Sequence, residues 1–150
     1  MQRWREAWIG LAGVIAGAPI ALGGQHVARQ SEVRERTQTF LLEQCALLVA
    51  LSEDYRNRVW EERNQLAADV VAAWDLAAYR LAQARLRILC SDSDVLTAIE
   101  TLRKAGTDLG RTWRLSPQDE TSVQAAWEAH RSALKAFIAA SSELLQAPGK

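Results

Sequence analysis

The chain has 150 residues, enough for one hydrophobic core and too few for two ordinary domains at roughly 100–200 residues each. With 49% apolar and 24% charged residues it is not a chain disordered throughout. Its 18 basic side chains are cancelled by 18 acidic ones, which removes the strongly basic field of nucleic-acid-binding domains, so nucleic acid is not an expected partner.

From the N-terminus, no Asp, Glu, Lys or Arg occurs between Glu6 and Arg29, and Ala7 to Gly24 is continuously apolar or small. That length is close to the ~20 residues a helix needs to cross a bilayer core. Trp4 and Trp8 stand beside Arg3 and Arg5 as interfacial aromatic and basic anchors do. Residues 1–28 therefore read as a membrane anchor and 29–150 as a helical domain. Gly10, Gly13 and Gly17 form a small-residue face on which two helices could approach closely. A signal peptide, with cleavage near Ala16-Gly17-Ala18, and a buried hairpin are the rival readings of the same segment.

Between Gln25 and Ala105 there is neither glycine nor proline, the two residues that supply most punctuation, so long helices are expected and strands are not. Val33, Thr37, Phe40, Gln44, Leu47 and Leu51 follow the 4-3 spacing of a coiled-coil seam. A second register runs through Tyr55, Val59, Glu62, Leu66, Val70, Ala73, Ala77, Leu81, Ala84 and Ile88. The offset between them reads as a stutter in one continuous helix, the alternative being a turn at Ser52-Glu53-Asp54 that makes an antiparallel hairpin.

Ser91-Asp92-Ser93-Asp94 is the first clear break, because these residues favour N-caps over helix interiors. A short helix carrying Val95, Leu96, Ile99 and Leu102 inward then ends at Gly106, and Thr107 to Leu115 reads as a loop with Leu109 and Trp113 dipping into the core. Ser116-Pro117-Gln118-Asp119 predicts the start of the last helix, with serine at the N-cap and proline at the first helical position. Its seam is Val123, Trp127, His130, Leu134, Phe137, Ser141 and Leu144, and it is expected to pack back along the long helix.

Residues that carry chemistry are sparse. Cys45 and Cys90 have neither CxxC spacing nor a nearby histidine, so they read as small core hydrophobes in a reducing compartment, without zinc. His26 and His130 form no ligand pair, and no phosphate loop, dinucleotide fingerprint or nucleophile elbow occurs, so neither metal, cofactor nor enzymatic activity is expected. The run from Arg80 to Arg114 is locally basic but interleaved with Asp92, Asp94, Glu100 and Asp108, as a solvated helix face is. Trp60, flanked by Arg58, Glu61, Glu62 and Arg63, is the candidate anchor for a protein partner.

The layout of an Ala/Arg-rich apolar N-terminal segment followed by a long Glu/Arg helix resembles uncharacterised small single-pass membrane proteins of high-GC actinobacteria. The resemblance covers no diagnostic motif and implies only the anchor. The expected protein is thus all-α: a transmembrane-like helix, then a long helix folding back as a coiled-coil hairpin or small bundle. It would sit in the cell membrane with its C-terminal part cytoplasmic, as an interaction or scaffold protein acting through a protein partner or a second copy. The rival functions are a soluble helical-bundle adaptor and a small membrane-perturbing protein of holin or toxin type.

Overall fold

The structure, a computed structural model, describes the backbone of residues 2–146 and the side chains of residues 28–146. It is all-α, with α1 (Gln2–Arg63), α2 (Leu76–Leu89), α3 (Ser93–Leu115) and α4 (Glu120–Gln146), and no strand among the described residues. The chain divides into two units, Met1–Thr39 and Phe40–Lys150.

In the first unit the described side chains, residues 28–39, are all exposed. Local bonds support the helix there. Arg36 reaches Glu32 at 2.6 Å one turn back, and Thr37 and Thr39 donate to the carbonyls of Val33 and Glu35. Among the described residues no helix is long and apolar enough to cross a membrane, which overturns the expected single-pass membrane localisation. The described part of α1 carries Arg29, Glu32, Arg34, Glu35, Arg36 and Glu43, a charge density no bilayer core accepts. The side chains of Ala7–Gly24, and with them the Gly10, Gly13 and Gly17 face, lie outside the described residues.

The second unit holds the core. Along α1 the inward residues are Leu41, Cys45, Leu48, Ser52, Tyr55, Val59 and Glu62, an unbroken 4-3 repeat. The expected seam is met in part: Gln44 is buried at 5% and Leu51 packs against the core, but Phe40 and Leu47 remain 39% and 38% exposed, and Val33 61%. Apolarity favours Phe40 and Leu47, whereas the buried stripe uses small Cys45 and Ser52, the latter satisfied by donating to Leu48 O at 2.7 Å. In the true register the stutter disappears.

Nor does one helix run through residues 25–90. It stops at Arg63, well beyond the alternative turn at Ser52-Glu53-Asp54. The linker 64–75 contains no glycine, yet Gln65 and Asp69 both take φ of 57°, the left-handed conformation glycine usually supplies. Long side chains hold it in place. Arg58 donates to Val70 O at 2.8 Å, Glu62 accepts from Val71 N at 2.8 Å, and Trp74 Nε1 donates to Leu51 O at 3.0 Å. Backbone groups of the linker are thereby paired without secondary structure.

Asp75 caps α2 by accepting from Ala78 N at 2.8 Å, and α2 buries Tyr79, Ala82, Gln83 and Leu86. The expected Ala77, Leu81, Ala84 and Ile88 stripe lies on its outer face instead. The Ser91–Asp94 break stands where expected, with Asp92 accepting from Asp94 N and Val95 N, both at 3.0 Å. α3 does not end at Gly106. It continues to Leu115, burying Leu109 and half-burying Trp113, because neither Gly106 nor Gly110 adopts positive φ and both serve close packing instead.

Ser116 closes α3 by donating its N–H to Thr112 O, and Pro117 lies in the turn. Capping of α4 falls to Asp119, which accepts from Ser122 N at 3.1 Å, so the helix starts at Glu120. Its buried residues Val123, His130, Leu134, Phe137 and Ser141 follow the predicted seam. α4 runs back along α1 as expected: Glu120 meets Arg63, Trp127 lies under Arg56, His130 faces Tyr55 and Ser141 adjoins Cys45.

Candidate functional site

A cavity of about 630 Å³ lies within the second unit, lined by the later part of α1, the 64–75 linker, α2, α3 and one residue of α4, His130. Its wall is a chain of rings. Trp74 lies 4.6 Å from Tyr55 and 5.0 Å from Tyr79, centroid to centroid, and His130 meets Tyr55 edge-on at 6.2 Å. Gly106 and Gly110 supply the facing surface of α3. A Cβ at Gly110 would fall inside the contact radius of Tyr55 Oη, whereas one at Gly106 would meet the His130 ring at 3.6–3.7 Å, an ordinary contact.

Of three buried polar groups among the lining residues, Tyr79 Oη stands against the Ser52 hydroxyl, and Gln83 Nε2 and His130 Nδ1 have no hydrogen-bond partner among the described residues. The residues are 7%, 6% and 1% exposed. These atoms are themselves shut off from solvent and do not open onto the cavity that their residues line; unpaired buried groups of this kind are rare and costly. Burial pushes the Tyr79 phenol up to about 12, against the opposing pull of Ser52 and Arg103. Burial, reinforced by the Arg56 charge, brings His130 down to about 4, leaving it neutral at physiological pH. Two further polar groups of the lining are occupied. Trp113 Nε1 donates to Glu62 at 2.9 Å, and Ser52 is turned to a backbone carbonyl.

Charge around the cavity is unequal: Arg80, Arg103 and Arg114 line it against Glu62 and Asp69. Arg103 pairs with Glu100, which also takes Arg87, while Arg80 and Arg114 have no ion pair among the described residues. The basic run of the sequence is therefore in part the solvated face it resembled, while Arg80 and Arg114 stand at the cavity with Glu62 and Asp69.

A second feature lies on the outside of α2. Ala77, Leu81, Ala84 and Ile88 repeat at 4-3-4 spacing, all exposed, with Leu81 at 51% and Ile88 at 84%. Arg80 and Arg87 stand on one side of this stripe and Arg85 on the other, by helical geometry. Trp60, the sequence candidate for a partner anchor, is 48% exposed on α1 and is not among the cavity residues. Among the described residues no three His, Cys, Asp or Glu side chains are grouped as metal ligands.

Sequence reasoning placed His130 and Trp74 on or beside seams but did not bring Tyr55, Trp74, Tyr79 and the two α3 glycines together. A signal was present in Gly106-x-x-x-Gly110, a close-approach surface that had been taken for a helix end and a loop. Helices and cavity together define an all-α bundle with an aromatic-lined cleft. No protein-family model, curated protein or solved structure matches the chain.

Proposed function

We propose that this chain is a helical-bundle adaptor, a non-enzymatic interaction protein that docks an acidic amphipathic helix of a partner on the outer face of α2. The observation that carries the reading is the stripe Ala77, Leu81, Ala84 and Ile88, a coiled-coil seam pointing outward, with Ile88 84% exposed. Such a seam takes another helix in knobs-into-holes packing, and its flanking arginines, Arg80 without an ion pair among the described residues and Arg85 and Arg87 already holding Gln44 and Glu100, favour a partner with Glu or Asp beside the apolar row. Two copies of this face would set arginine against arginine, so charge disfavours self-pairing here.

The test is a photoreactive side chain placed at Ile88 in the full-length protein in its native cells, with the exposed Thr101 position of α3 as control. The expected result is one crosslinked protein, joined at position 88 only, whose crosslinked peptide is an acid-flanked amphipathic helix. Reversing Arg80 and Arg87 to Glu should remove it. A crosslink only to a second copy, or to a peptide without acidic flanks, would overturn the reading.

A further inference from the structure

Beside the outer stripe of α2 runs a second exposed apolar row, on α1. Phe40 and Leu47 are seven residues apart, two helical turns, so they stand one above the other on one exposed face. Arg85 identifies this face as the one next to α2. Its side chain leaves α2 on the flank opposite Arg80 and Arg87, reaches Gln44 Oε1 at 3.4 Å and lies over the Phe40 ring, 5.9 Å from its centroid. The two helices are antiparallel here, since Ser52 stands against Tyr79, and Gln44, farther back along α1, meets Arg85, farther on along α2. With the same rise per residue in each helix, that register sets Leu47 level with Leu81 and Phe40 level with Ile88.

The helices thus frame a groove with two apolar steps about 10.5 Å apart and a cation between them. Leu81 and Ile88 form one wall, Phe40 and Leu47 the other. Arg85 is half-buried and has no carboxylate partner among the described residues. A neutral carbonyl at 3.4 Å and a ring face satisfy a partly desolvated guanidinium poorly. Glu43, next to Gln44, stands about 100° farther round α1 and makes no ion pair with it.

We infer that the partner helix lies in this groove between α1 and α2, with two apolar residues seven apart and Asp or Glu three or four places after the first, set over Arg85. The inference rests on the adaptor reading above, and adds to it a second wall, the partner's register and a role for Arg85. The step length selects a helix. Seven helical residues match the spacing on both walls, whereas in a strand about three residues span it and the second side chain points to the opposite face. The guanidinium between the steps selects an acid there over a base. A second copy docking by the same groove would set Arg85 against Arg85.

The test places a photoreactive side chain at Leu47, at Ile88 or at Leu42 in the full-length protein in its native cells. Leu42 is the control, 53% exposed on the same helix and about 140° round it from Leu47. The expected result is one partner protein, crosslinked through the same peptide from Leu47 and Ile88 and not from Leu42, with the acid at the stated spacing. Arg85→Gln should lower the yield at both positions about tenfold or more. Reversing the partner's acid to Arg should do the same, and combining that change with Arg85→Glu should restore the yield, which an arginine of purely structural role would not allow.

A crosslink at Ile88 without one at Leu47 would overturn the groove and leave the α2 docking face standing. Equal crosslinking from Leu47 and Leu42, a crosslink only to a second copy, a peptide without the acid at that spacing, or failure of the charge swap would overturn it as well. No crosslink at Ile88 would remove the docking reading itself, and the groove with it.

Discussion

Gly106 and Gly110 are four residues apart in one helix, and their neighbours give them opposite tolerances. At Gly106 an added methyl meets His130 at an ordinary 3.6 Å, so Gly106→Ala should stabilise by about 0.5–1 kcal/mol through reduced backbone entropy of the unfolded chain. Gly110→Ala should cost about 1–3 kcal/mol, because the new Cβ collides with Tyr55 Oη at the end of a ring that cannot bend. Pairing it with Tyr55→Phe should recover most of that loss, since the next ring atom stands at 3.5 Å; urea unfolding of the double-mutant cycle checks this. His130 makes a second prediction. Its folded pKa of about 4 lies below the ordinary 6.5, so the unfolded chain binds the proton more readily. Stability contributed by the neutral ring is therefore full above about pH 6.5, falls as pH drops towards 4, and is lost below it, a change on the order of 3 kcal/mol. His130→Leu should flatten that part of the stability-against-pH curve, and an unchanged slope would assign the loss to carboxylates. Neither property could be read from the residue types, since a histidine on an apolar seam looks the same whether its ring nitrogens are paired or bare.

At the scale of the element, α2 shows how far a repeat can be trusted. The 4-3-4 spacing of Ala77, Leu81, Ala84 and Ile88 is real, but the helix turns it to solvent and buries Tyr79, Ala82, Gln83 and Leu86. Periodicity reports that an amphipathic face exists, and only the neighbouring elements decide which of two candidate faces the core takes. Leu86 and Ile88, two residues apart, should thus behave as different classes of site. Leu86→Ala removes a fully buried side chain and should cost about 2–5 kcal/mol, while Ile88→Ala should fall within about 0.5 kcal/mol of the parent in urea unfolding. Equal losses at the two positions would reverse the assignment of the faces. On α4 the buried row was read faithfully because no rival apolar row exists there, but the helix begins at Glu120, later than the expected Ser116 cap with Pro117 as its first residue. On α1 it was met only in part, because Cys45 and Ser52 score lower than the flanking Leu47 and Leu51 yet let the helices come closer. The 64–75 linker was invisible. Its conformation is fixed by Arg58, Glu62 and Trp74 acting across distance, and such contacts leave no local mark of the kind Gly and Pro do.

For the molecule as a whole, the all-α class was legible from the absence of breakers, and the return of α4 along α1 from the length of the last apolar row. The cavity was not, since it arises where α1, the linker, α2 and α3 converge, with residues as far apart in sequence as Ser52 and His130. The expected membrane-spanning architecture rested on residues 7–24 alone, and among the described residues no helix meets the requirement. Cys45 on α1 and Cys90 at the end of α2 belong to the same buried cluster, and burial raises both thiols, keeping them protonated and slow to react. These two sulfurs are a built-in clock for the opening of the bundle. A thiol reagent can reach both only when the helices packed over them part, α4 at Cys45 included, so modification of the native protein should proceed in one phase, about a hundredfold or more slower than in denaturant. Two well-separated phases would show instead that the Cys90 end of α2 breathes on its own while the Cys45 side stays shut.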